Sequence, residues 1–350
     1  MHSGTPVPAE AVFASPDHYL FGFEGDRALF RAMDRAAYHR SIFLDGRIST
    51  AGPEMFALPV AALAASAERF APPRTGWIFH IAHCGSTLLA RALDLTERSL
   101  VLREPFALRQ IGIDRANPVA GPAGEAWRAR LNLVAALAGR RYRSDAPAIV
   151  KANVPVNFVA ADLLGLDPQA PSILLYFPLR LYLLAVLRSP GHRQWVVNVT
   201  TALRPALVER VGPIDGLAIP ERAAALWLAQ MQLFAEALAL SPEARSLDAD
   251  TLFDAPGATV AAAAAHLGVR LDAGEAETIA AGPLFAAHSK QPGQRFDNDA
   301  RRALRTQVER TIAPELDRAL AWLGAHPARA AVPVRLDRPL IVASPALLQD

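Results

Sequence analysis

Residues 77–93 read WIFHIAHCGSTLLARAL, and the fold turns on how that stretch divides. Trp77 to Ala82 is a short apolar run rich in strand formers, and Leu88 to Leu93 continues at helical spacing. Between them stand Gly85, Ser86 and Thr87. Strand, glycine turn, helix is the repeating unit of an α/β protein. The alternation recurs. Ser99–Arg103, Ala148–Lys151 and Pro171–Phe177 read as further strands, the last two followed by helices at Asn157–Leu164 and Leu179–Arg188. Strands alternating with helices predict a mainly parallel central sheet covered on both faces, a three-layer α/β sandwich. Beyond it the chain reads as helical, over Glu221–Leu240, Ala258–Leu267 and Asp299–Leu323.

The chain has 350 residues, 52% hydrophobic and 20% charged, which is ordinary for a globular protein with a sizeable core. We expect a single domain over 1–350, with a helical N-terminal extension over 1–70, a core over 76–325 and a C-terminal extension over 327–350. The helical expectation rests on apolar spacing from Asp26 to Tyr38, and Pro72-Pro73 separates that part from the core. Lys+Arg 36 against Asp+Glu 34 leaves a formal charge of +2, too balanced for a general nucleic-acid binder. One cysteine excludes an internal disulfide framework and a Cys-rich zinc site. His80 and His83 lack further ligands nearby, so no metal is expected. The most apolar run, Ser172–Leu187, carries Pro178 and Arg180 and falls short of the roughly 20 residues a membrane helix needs. The first residues lack the basic and apolar regions of a secretory signal. The expectation is a cytoplasmic protein with no membrane or nucleic-acid partner; the sequence does not set its oligomeric state.

His83-Cys84-Gly85-Ser86-Thr87 stands where a parallel-sheet protein holds a phosphate. A glycine lets the backbone turn tightly and approach a ligand, and the two hydroxyls add donors. The same residues also make an ordinary helix cap. A Walker A loop is excluded because no lysine precedes Ser86, and Gly85 has no partner glycines for a dinucleotide fingerprint.

The stretch FHIAHCGSTLLARAL resembles the 5′-phosphosulfate loop of sulfotransferases that use 3′-phosphoadenylyl sulfate, usually R/K-S-G-S/T-T-L. Other segments resemble that family in order. These are SLVLREPFAL, AIVKANVP, PQAPSILLYFPL and LDADTLFDAPGATVAAAAAHLGV, together spanning roughly 76–322. The resemblance implies a P-loop-like sulfotransferase fold and transfer of a sulfuryl group to a hydroxyl or amine on a small-molecule or glycan acceptor. It also implies a donor loop made of His83, Cys84, Gly85, Ser86, Thr87 and Leu88. The family's 3′-phosphate motif, Arg-Asp-Pro-Arg-Asp with a later serine, is eroded. Aligned on Pro178, its first arginine falls on Tyr176 and its serine on Leu184. Arg180, Arg188 and Arg193 are the basic residues that can take its part. A competing alignment starts RSPGHR at Arg188, but Ser172–Phe177 is the better strand, which favours the first. HSKQPGQRF echoes the family's late lysine loop and points to Lys290.

Sulfuryl transfer needs charge stabilisation and a base for the acceptor's proton. Glu104 and Lys151 each end a strand, the edge at which open α/β sheets bind ligands. The expected catalytic set is therefore Glu104 as base, with Lys151 and His83 as cations. A surface carboxylate pairing with Arg103 or Arg109, and a strand-end lysine reaching water, are the plain alternatives. Two other functions stay open. One is a non-catalytic member of the fold, which the eroded motif allows. The other is a cysteine-dependent phosphatase, although H-C-x5-R fails because Arg91 comes one residue late. Acceptor specificity is expected in Asn117–Asp145 and in the N-terminal stretch.

Overall fold

The computed structural model describes residues 7–67, 69–70, 74–119, 121–288, 291–295 and 297–348. Pro72-Pro73 and Lys290 lie outside the described residues. In chain order, β1 (His18–Glu24), β2 (Arg27–Ala32), α1 (Arg35–Arg40) and β3 (Met55–Pro59) form the N-terminal part. Then follow β4 (Thr75–His80), α2 (Ser86–Ala92), β5 (Leu100–Arg103), α3 (Phe106–Ala116), β6 (Ala148–Lys151) and β7 (Ser172–Tyr176). α4 (Leu179–Leu187), α5 (Pro190–Ala202), α6 (Ile219–Leu240), β8 (Ala244–Asp248), α7 (Ala249–Asp254) and α8 (Asn298–Thr311) complete the elements that matter to the site.

The central sheet is five-stranded and parallel, in the order β5-β6-β4-β7-β8. Every residue of β4, β5, β6 and β7 is buried, so helices and loops cover both faces. This is the α/β sandwich that the strand–helix alternation predicts. Burial on both faces is why these strands read as continuous apolar runs rather than alternating ones. β4 lies in the middle. Strand order reverses on either side of it, the place where open α/β sheets carry their ligands.

Two regions differ from expectation. Where apolar spacing predicts a helix over Asp26–Tyr38, the chain makes β2 and then α1. Gly25, at φ +54°, turns β1 tightly into β2, and β1, β2 and β3 form an antiparallel sheet. Ala28 and Phe30 are buried at period two, the strand pattern. The described residues up to Phe70 thus form a small sheet with short helices. The second departure is β8, which lies within the part read as helical. Its far edge is covered by the C-terminal segment, where Leu340 N donates to Ser246 O at 2.8 Å.

α6 is long and apolar enough to cross a membrane by composition, and 78% of its most apolar window is buried inside the molecule. It runs as a core helix, and Trp227 Nε1 donates to Phe177 O at 2.9 Å just beyond β7.

Candidate active site

After β4 the backbone enters the left-handed region at Ala82 (φ 72°), His83 (φ 53°) and Gly85 (φ 82°). Non-glycine residues there cost energy and persist where surrounding contacts impose them. His80 imposes one: its Nδ1 accepts from Ala82 N at 3.0 Å, while its carbonyl accepts from Asn157 Nδ2 at 3.0 Å. Gly85 is required twice, by its φ and by crowding. A Cβ there would stand 2.8 Å from Phe253 Cζ and 3.1 Å from Leu252 Cδ2. The loop then feeds Ser86 and Thr87 into α2, both buried.

A cavity of about 600 Å³ opens over this turn. His83, Gly85, Ser86, Thr87 and Leu88 form one wall, with Arg188 and His192 beside them. Phe253, Phe285, Leu304 and Val308 make an apolar stretch, and Arg301 and Arg305 of α8 add a cationic one. Thr87 Oγ1 is buried without a hydrogen-bond partner among the described residues. Arg188 has no carboxylate within ion-pair distance among them, and burial pushes its guanidinium below the ordinary arginine range. Its Nε donates to His192 Nε2 at 3.0 Å. The His83 ring lies 4.3 Å from that of His192 and edge-on to Trp195 at 5.2 Å.

Arg301 and Arg305 share Asp250, at 2.6 and 2.7 Å to its Oδ1. They also stack over Phe253 at 4.3 Å and Phe177 at 5.8 Å. Burial raises the Asp250 carboxyl, but the hydrogen bond and charge of Arg305, with Arg301, outweigh it and hold the group below the usual range. Asp248, at the end of β8, goes the other way. Burial, then the charge of Asp250, pushes it up to about 6.

The other expected cations fall elsewhere. Arg180 pairs with Glu309 at 2.5 Å and Arg193 pairs with Glu315; neither lines the cavity. Of the two alignments of the eroded motif, the cavity takes the arginine of the second, because α4 is interposed between β7 and Arg188. Cys84 is buried and its Sγ points at Leu175 O, 3.7 Å away, so only its backbone is available to the loop's concave side.

Glu104 and Lys151 come together on the opposite flank of β4, at the ends of β5 and β6. Lys151 Nζ donates to Glu104 Oε1, and Glu104 N donates to Lys151 O at 2.7 Å. His80 Nε2 stands 3.8 Å from the same Oε1, so one histidine touches both the loop and the carboxylate. Lys151 is 1% exposed, which excludes the solvent-reaching alternative. Glu104 itself sits at φ 53°, a third strained residue at this edge of the sheet. Neither Glu104 nor Lys151 lines the cavity. Arg103 does not pair with Glu104. It turns inward to Asp94 at 2.8 Å and to the carbonyls of Tyr38, His39 and Ser41. That brings the segment after α1 over Lys151: the Phe43 ring lies 5.6 Å from Nζ, and Arg47 stacks on Phe43 at 4.0 Å.

Among the described residues no group of three or more His, Cys, Asp or Glu side chains is placed to hold a metal ion.

No protein-family model matches this chain, and no curated protein does. Among solved structures it is similar to a sulfotransferase from Alicyclobacillus acidocaldarius, at 14% identity and a TM-score of 0.36, over 72% of this chain and 96% of that one. It is also similar to the sulfotransferase domain from the curacin biosynthetic pathway, at 14% identity and a TM-score of 0.36, over 73% and 98%.

The residues that sequence reading missed are His192, Arg301, Arg305 and Asp250. Arg301 and Arg305 stand four apart on a basic helix, a pattern indistinguishable from a solvated face until that helix is docked.

Proposed function

We propose that the protein is a sulfotransferase that uses 3′-phosphoadenylyl sulfate and passes its sulfuryl group to a hydroxyl or amine on a small-molecule or glycan acceptor. The observation that carries this proposal is the pairing of Arg188, a half-buried cation with no carboxylate at ion-pair distance among the described residues, with the strained Gly85–Thr87 turn on one cavity. A buried cation without an anion is costly, and a phosphate ester compensates it. The apolar stretch beside it suits an adenine ring. The donor supplies the sulfuryl group; this chain's residues hold it and receive the acceptor.

Thr87, Ser86 and Arg188 bind phosphate oxygens, and His83 adds charge where the bridging oxygen turns negative. Glu104 takes the acceptor's proton. Its contacts from His80 and Lys151 both fall on Oε1, and Oε2 is the oxygen assigned to the acceptor in this reading. Lys151 holds that carboxylate in place. In this reading the transferred group passes between the donor cavity on the β7–β8 flank and the carboxylate at the end of β5, in line as sulfuryl transfer requires. A cysteine-dependent phosphatase is disfavoured by the inward Sγ of Cys84, which puts no thiol among the described residues that line the cavity.

Transfer of labelled sulfate from the donor to a panel of phenols, sugars and amines tests the proposal. Glu104→Gln is expected to lower turnover by about a hundredfold, as loss of a general base does, with bisphosphate binding retained. Wild-type turnover in that variant would remove Glu104 from the chemistry.

A further inference from the structure

Arg188 ends α4 and Ser189 caps α5, with Pro190 as the first helical residue. His192, three residues after the cap, donates its backbone N–H to Ser189 Oγ at 3.4 Å. Its ring folds back so that Nδ1 lies 2.6 Å from the same hydroxyl. This is the spacing of a capping box with histidine in the place of glutamate. The far side of the ring meets Arg188, whose Nε is 3.0 Å from Nε2.

The direction of that bond is fixed by chemistry. A guanidinium has five donors and no acceptor, so Nε2 must supply a lone pair. The ring proton therefore sits on Nδ1, toward Ser189 Oγ. With Nε engaged, the two Nη groups of Arg188, a residue that lines the cavity, have no hydrogen-bond partner among the described residues. An arginine side chain has many rotamers to lose on binding, so a bond at Nε preorganises the fork for a ligand.

We propose that His192 is a positioning residue for anion binding: its Nε2 lone pair holds the Arg188 guanidinium so that the Nη pair faces a phosphate oxygen pair in the cavity. This rests on the donor-site proposal above. Ser189, as cap, sets the ring, and the ring sets the arginine.

The variants separate lone pair from shape. His192→Phe keeps a ring but has no acceptor, whereas His192→Gln places an amide oxygen near the same point. In titrations with adenosine 3′,5′-bisphosphate, His192→Phe is expected to weaken binding about tenfold, as for one lost charge-assisted hydrogen bond. His192→Gln is expected to stay within about threefold of wild type. Arg188→Ala/His192→Phe should bind no worse than Arg188→Ala alone, since the histidine acts through the arginine. Wild-type affinity in His192→Phe, or additive losses in the double variant, would overturn the assignment. Long-range nitrogen–proton NMR of the imidazole supplies a ligand-free readout. The expected pattern is Nδ1–H for His192 in the wild type, lost in Arg188→Ala, and an Nε2–H pattern in the wild type contradicts the proposal. Failure of the wild type to bind the bisphosphate sinks the donor-site proposal instead, and the NMR pattern still decides the role of His192.

Discussion

Cys84 separates the competing chemistries at the scale of single residues. Its sequence position, after a histidine and before a helix, is that of an activated thiol. Its side chain is buried with Sγ aimed at the Leu175 carbonyl, a contact that a serine hydroxyl reproduces. Cys84→Ser is therefore expected to keep bisphosphate affinity and sulfuryl transfer within a few-fold of wild type. Loss of both on that change would mean the thiol takes part directly. Asp248 makes a second residue-scale prediction. Its carboxyl is raised to about 6 by burial and the neighbouring Asp250, and its Oδ1 is buried without a hydrogen-bond partner among the described residues. A raised carboxylate favours the folded state while protonated, so its contribution is fullest below the unfolded pKa of about 4 and is lost as pH rises through 6. Asp248→Asn should thus be more stable than wild type above pH 6 and should flatten the pH dependence of urea unfolding between 4 and 6. A variant less stable at pH 7 would show that the charged group is used. The positions of Glu104, Lys151 and the Gly85 turn at strand ends were legible in the sequence because each follows or ends a short apolar run. Arg180 and Arg193 were read as ligands from alignment alone; their partners Glu309 and Glu315 lie more than a hundred residues away and have no local signal.

Among the elements, the end of α1 and the segment after it are held to the core by a buried arginine. Arg103, 1% exposed, joins Asp94 and three carbonyls of the segment that follows or ends α1, while Leu44 N donates to Arg103 O at 2.7 Å. Arg103→Met leaves Asp94 buried with less compensation and those carbonyls unsatisfied. Breaking such a pair costs about 3–5 kcal/mol. Thermal unfolding should show a loss of that order, with early proteolysis in the Ser41–Ser49 segment; a loss below about 1 kcal/mol would mean the segment is held by other contacts. The two misjudged elements have separate physical causes. RALFRA has apolar residues at 28, 29 and 30, which fit a helix face as well as a strand face, and the Gly25 turn with its pairing to β3 decides. β8, ARSLD, holds no β-branched or aromatic side chain. It is a strand because β7 on one side and Ser246–Pro339 bridging on the other satisfy its backbone.

Over the whole molecule, β4 divides the carboxyl edge of the sheet into two halves. The β7–β8 half holds the cavity with Arg188, Arg301 and Arg305; the β5–β6 half holds Glu104 and Lys151 under the N-terminal segment. The loop from Ile81 to Gly85 lies between them, with His80 reaching from one to the other. The parallel sheet was readable because buried strands are short apolar runs. The division of labour was not, since it depends on a helix more than two hundred residues after the loop closing over it. The central claim is that this cavity holds the donor's phosphates. Calorimetric titration with adenosine 3′,5′-bisphosphate, of the wild type and of Ser86→Ala/Thr87→Ala, tests it most directly. The expected result is saturable one-to-one binding that falls by at least about tenfold, or 1.4 kcal/mol, in the double variant while its melting temperature holds. No binding by the wild type, or equal affinity in both proteins, would contradict it.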